Sequence, residues 1–98
     1  MNYCQIHFGD YAAATGHLSA HEHGVYLLLL FRYYRSMKPI DDALAHRHGK
    51  CSREEVQAIL TEFFVRDGDV WRHRRADREI HEYNAKCEKN KTNGKKGG

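Results

Sequence analysis

Ninety-eight residues allow one hydrophobic core and exclude two, since a chain of this size buries only about 60 to 70 per cent of its unfolded surface. An apolar share of 41% excludes a disordered body, and three widely spaced cysteines, Cys4, Cys51 and Cys87, exclude a disulfide framework and indicate a reducing compartment. The net charge is only +3, but base collects late in the chain, at Arg72, Arg74, Arg75 and Arg78 and at Lys86, Lys89, Lys91, Lys95 and Lys96, as either a phosphate-binding footprint or a solvated face.

Residues 3–15 open with weak alternation at Tyr3, Ile6 and Phe8, which predicts a short strand or extended arm broken at Gly9-Asp10. Ser19-Ala20-His21-Glu22 is a capping box, so a helix starts there and runs to about Ser36, before Lys38-Pro39. Its middle, Val25 to Phe31, is apolar all round, which predicts a central helix; at seven residues the run is far below the ~20 needed to span a bilayer. No basic region followed by an apolar stretch marks the N-terminus as an export signal, so neither membrane nor secretion is expected.

Pro39, Asp41 and Asp42 predict the start of a second, short helix that Gly49 closes. A second capping box at Ser52-Arg53-Glu54-Glu55 opens a third helix, with Val56, Ile59, Leu60, Phe63 and Phe64 on one face. Asp67-Gly68 predicts a type I′ hairpin between a Val-bearing and a Trp-bearing strand. From Ala76, the narrow stripe Ile80, Tyr83, Asn84 and Cys87 predicts a weakly docked fourth helix. Residues 1–88 then form the domain, and 89–98, which lack any apolar residue, a flexible basic tail or the start of a linker.

The expected fold is mainly α with a small β-hairpin or sheet. Helix, short helix, tight turn, amphipathic helix and hairpin follow in the serial order of a winged helix, here with an extra C-terminal helix and with the leading strand able to join the hairpin edge. The third helix carries Glu54, Glu55 and Glu62 against Arg53 alone, which phosphates would repel. The phosphate contacts are therefore expected from the wing and tail: Arg66, Arg72, Arg74 and Arg75, which with His73 alternate along the second strand, and Lys89, Lys91, Lys95 and Lys96. The competing reading is a protein-interaction module that uses Glu54, Glu55 and Glu62 with the aromatic pair Tyr33 and Tyr34, one ring in the core and one at the surface.

Gly9-Asp10-Tyr11, Thr15, Leu18-Ser19, Glu22-His23-Gly24, Tyr26, Leu29-Leu30, Tyr33-Tyr34, Pro39, Phe63-Phe64, Asp67-Gly68, Trp71, Arg75 and Asn93-Gly94-Lys95-Lys96-Gly97-Gly98 together resemble the YdaU-like phage and prophage family, a domain of unknown function. The resemblance covers nearly the whole chain and is most specific in its opening stretch. It implies the cytoplasm of a bacterial host, a place near phage DNA replication initiation, and an N-terminal domain that a variable region usually follows. Under the competing reading the partners are replication proteins or a host defence complex. The family implies no catalytic residue.

Two histidine sets invite a metal: His17, His21 and His23 near the first cap, and His46, His48 and Cys51 at the helical turn. Neither has a finger spacing or four local ligands, so both are read as surface side chains, and a zinc-stabilised module remains the third class. Cys51 with His48 is the one local pair suited to nucleophilic catalysis and is read as a half-buried thiol, so no enzyme and no cofactor are expected. Trp71 is expected to pack the wing against Phe63 rather than stack on a base.

Overall fold

The computed structural model describes the backbone of residues 8–97 and the side chains of residues 9–89. In chain order its elements are α1 (Phe8–Thr15), α2 (Ala20–Ser36), β1 (Ile40–Asp41), α3 (Asp42–Gly49), α4 (Arg53–Phe63), β2 (Val65–Asp67), β3 (Val70–Arg72) and α5 (Arg74–Gly97). The described residues thus make a mainly helical domain with one small antiparallel sheet, in strand order β1-β3-β2. No helix among them is long and apolar enough to cross a membrane.

Local chemistry sets the start of each central helix. The Ser19 hydroxyl accepts from the Glu22 amide at 3.1 Å and the Glu22 carboxylate accepts from the Ser19 amide at 2.8 Å, which closes the expected box. Asp41 caps α3 by accepting from the Leu44 amide at 2.8 Å. At α4 only half of the box forms: Ser52 accepts from the Glu55 amide at 3.3 Å, while the Glu55 carboxylate turns to His21 instead.

In the described sheet, the place expected for the leading strand is taken by β1, between α2 and α3. Ile40 is β-branched, buried and set opposite Trp71, and the extended backbone that Asp41 needs as a cap also suits a strand. Residues 3–7 of the expected arm lie outside the described residues, and 8–15 are helical because Ala12-Ala13-Ala14 favours helix over strand. In the hairpin, Asp67 pairs with Val70, so the two turn residues are Gly68 and Asp69. Gly68 has φ of 62° in the first central position while Asp69 is not left-handed, the pattern of a type II′ turn rather than the expected I′.

The core forms where α2 lies across α3, α4 and the first turns of α5. Leu29, Tyr33, Ile40, Val56, Ile59 and Leu60 are its most deeply buried large side chains. α2 is not covered all round, since Leu28 and Phe31 are 36% and 56% exposed. On α5, Ala76 and Ile80 are buried and every side chain from His81 to Lys89 is exposed, so the helix leaves the body after Ile80. Its backbone continues as helix to Gly97, through the segment whose composition predicts a flexible tail.

Gly49 is the last residue of α3, and the left-handed cap that follows is Lys50, with φ of 54°. A side chain in that region costs about 1 to 2 kcal/mol, partly offset by the extra freedom glycine has when unfolded. Lys50→Gly is therefore expected to stabilise the protein by about 0.5 kcal/mol, seen as a higher urea midpoint at unchanged slope.

Candidate nucleic-acid interface

The hairpin is built around one carboxylate. Asp42, at the start of α3, accepts from Trp71 Nε1 at 2.8 Å, from Gln57 Nε2 at 3.2 Å and from Arg66 at 3.1 and 3.2 Å. The Trp71 and Gln57 bonds and the Arg66 charge together hold this carboxyl below the usual aspartate range. Trp71 is buried and Arg66 lies over its ring, 5.2 Å from the centroid. Phe63, the partner expected for Trp71, stacks instead on Tyr26 at 4.5 Å.

Three of the four arginines expected to contact phosphate are paired with carboxylates of the fold itself. Besides Asp42, Arg66 donates to the Gly68 carbonyl at 2.8 Å. Arg72 spans the hairpin to Asp67 at 2.7 Å and reaches Asp77 at 3.5 Å. Arg75 joins Glu79 at 3.4 Å and Asp10 at 3.7 Å, which ties α5 to α1. Strand β3 ends at Arg72, so Arg74 and Arg75 belong to α5 and do not alternate along the strand.

His73 marks that change of element. It is buried, its Nδ1 accepts from the Ala76 amide at 3.1 Å as the cap of α5, and its Nε2 therefore carries the proton and donates to the Tyr26 hydroxyl at 2.8 Å. Burial lowers its pKa below the ordinary histidine value.

Of the late-chain basic residues, those left for an anion lie on α5. Arg74, Arg78, Lys86 and Lys89 are exposed, and none is in an ion pair among the described residues. At 100° per residue the four share the helix face turned away from Ala76 and Ile80, with Glu82 between them. Arg78 and Lys86 are additions to the expected set, signalled by the i, i+4 spacing of Arg74 and Arg78 once the strand is seen to end early. The side chains of Lys91, Lys95 and Lys96 lie outside the described residues.

The expected protein-contact set also divides. Tyr33 and Tyr34 are both buried; Tyr33 donates to Asp77 and Tyr34 donates to Glu79 at 2.6 Å, because α5 packs over this face of α2. Burial and the bond to Asp77 push the Tyr33 hydroxyl up to about 12. Neither ring is therefore a surface contact. Glu54, Glu55 and Glu62 are exposed on α4, with Glu55 bonded to His21 and Glu62 to His17. Burial and the neighbouring Glu55 push the Cys51 thiol up, the reverse of what a nucleophile needs.

The most distinctive opening residues contact one another or α5. Tyr11 stacks on Tyr26 with centroids 6.1 Å apart and bonds His23 Nδ1 at 2.9 Å, and Thr15 donates to the Tyr11 carbonyl at 2.6 Å. Asp10 reaches Arg75, and Ser19 and Glu22 close their box. Residues 2–81 match the family model described as "Protein of unknown function (DUF1376)", whose limit at 81 coincides with the point where α5 leaves the body. The chain is 38% identical over 98 residues to the "Uncharacterized protein YdaU" of Escherichia coli (strain K12), covering 97% of this chain and 34% of that relative, so it spans about one third of the relative's length. No solved structure matches it. On the family match and this identity, the chain belongs to the DUF1376 family.

Proposed function

We propose that the domain is a winged-helix-like, phage-derived module that associates with DNA during replication initiation and grips phosphates along the outer face of α5. The observation that carries the reading is the charge of this helix: it holds eight of the chain's sixteen Lys and Arg residues against four of its thirteen Asp and Glu. Its residues from His81 to Lys89 are exposed, so their charge can face a polyanion. The position of β1 between α2 and α3 and the strand order β1-β3-β2 support the winged-helix part. The acidic α4 and the paired wing arginines mean that binding rests on α5 and not on a recognition helix.

The test is binding of labelled single- and double-stranded DNA across a salt series. Replacing Arg74 and Arg78 together with alanine is expected to flatten the log-log salt slope by about two units, equally for all sequences. Arg72→Ala is expected to leave the slope almost unchanged, because its charge already faces Asp67 and Asp77. No binding at low salt sinks the reading. The exposed Leu28 and Phe31 then favour a protein-interaction module, whose binding would withstand salt and weaken on Phe31→Ser.

A further inference from the structure

Sequence spacing divides the histidines into two local sets, but the fold makes a third. His21 in the first turn of α2, Cys51 in the turn between α3 and α4, and Glu55 in the first turn of α4 bring an imidazole nitrogen, a sulfur and a carboxylate oxygen within 4.8 Å of one another. A four-coordinate zinc ion binds at about 2.0 to 2.3 Å from such ligands, which sets them roughly 3.5 Å apart, within reach of small rotations of exposed side chains. We propose that His21, Cys51 and Glu55 form a binding site for a zinc-class divalent cation that clamps the start of α2 to the α3–α4 turn.

A second observation concerns Glu55 itself. Both capping sequences in this chain have Ser at the cap and Glu three residues on, yet only Glu22 closes back onto its serine. Glu55 leaves that arm open and accepts from His21 instead, while the Cys51 S–H donates to the Ser52 carbonyl at 3.7 Å and its sulfur lies within 4.8 Å of the Glu55 carboxylate. An imidazole and a thiol thus sit beside one carboxylate, an arrangement that a cation can bridge. On binding, the Cys51 S–H gives its proton to solvent and the sulfur donates to the metal. The proton that His21 Nε2 donates to Glu55 moves through solvent to Nδ1, which frees the Nε2 lone pair for the metal. Thiolate and carboxylate then balance the two positive charges.

Softness selects the ion: sulfur with imidazole and one carboxylate suits zinc or cobalt(II) and not magnesium or calcium. Three protein ligands leave a fourth position for water. A groove of about 400 Å³ between α2 and α4, lined in part by His21, Glu54, Glu55 and Ala58, gives it access. His21 and Glu55 are exposed and Cys51 half-buried, so the clamp can load on the folded protein.

Cobalt(II) titration of the chelator-treated full chain, in a non-thiol reductant, tests the site. The expected result is a thiolate-to-cobalt charge-transfer band with four-coordinate d–d bands, saturating at one ion per chain and bleached by zinc. Cys51→Ser should abolish the charge-transfer band although Cys4 and Cys87 remain. His21→Gln and Glu55→Gln, both at exposed positions, should weaken binding at least about tenfold, since loss of groups merely supporting a ligand already costs about 10- to 100-fold. Zinc should also raise the melting temperature of the wild type and not of Cys51→Ser. No charge-transfer band, or the same band in Cys51→Ser, overturns the proposal.

Discussion

His73→Ala is expected to lower stability by about 3 kcal/mol, a fall in melting temperature of roughly 15 °C for a domain of this size. Three losses add up at this one imidazole. The Ala76 amide loses its cap, a loss typically near 1 kcal/mol. The buried Tyr26 hydroxyl loses its partner, at about 1 to 3 kcal/mol. The ring also leaves a gap against Phe64, 5.1 Å away between centroids. Tyr26→Phe removes only the second of these and should cost clearly less. Chemical denaturation of both variants measures the difference; equal losses would show that the cap and the ring packing contribute nothing.

The same residue sets an acid limit. Its folded pKa is lowered, chiefly by burial, with Asp77 and Glu79 opposing and Arg75 assisting. Between the unfolded value near 6.5 and the lower folded value, the unfolded chain binds more protons, so stability falls as pH falls through this window. Protonation also puts a hydrogen on Nδ1, where the Ala76 amide already points. The contribution is complete above pH 6.5 and disappears below it, and the melting temperature of His73→Ala should be flatter with pH over that range.

What could be read from sequence follows the range of the interaction. The capping serines and the apolar face of α4 are local signals, and each stands where the spacing places it, while the hairpin forms where its glycine predicts but with the turn shifted by one residue. The helical span of α1 was missed because three small alanines carry little periodicity, and β1 because two residues are too short to alternate. The site was harder to read, since charge in sequence does not show pairing in space. Arg66, Arg72 and Arg75 find carboxylates from 2.7 to 3.7 Å away, two of them on elements far along the chain, and only Arg74 of the four arginines stays free among the described residues. His21, Cys51 and Glu55 meet only because α2 crosses the helical turn.

Gly49 shows the same limit through backbone chemistry, and it yields the second large prediction. A glycine at a helix end reads as the left-handed cap, yet here Lys50 takes that role and Gly49 stays helical. Its lack of a side chain serves the crossing of α3 and α4: an added Cβ would lie 2.6 Å from Val56 Cγ2, against about 3.5 to 4.0 Å for carbon contact. Val56 cannot readily yield, being fully buried and β-branched, with one preferred rotamer in a helix. Alanine offers a helix-propensity gain of up to about 1 kcal/mol, and overpacking costs about 1 to 3 kcal/mol. Gly49→Ala is thus expected to destabilise by about 1 to 2 kcal/mol despite the gain. Val56→Ala alone leaves a cavity and destabilises too, but the double variant should cost at least about 1 kcal/mol less than the two singles together. Additive losses in urea denaturation would mean that the helix crossing does not depend on this contact.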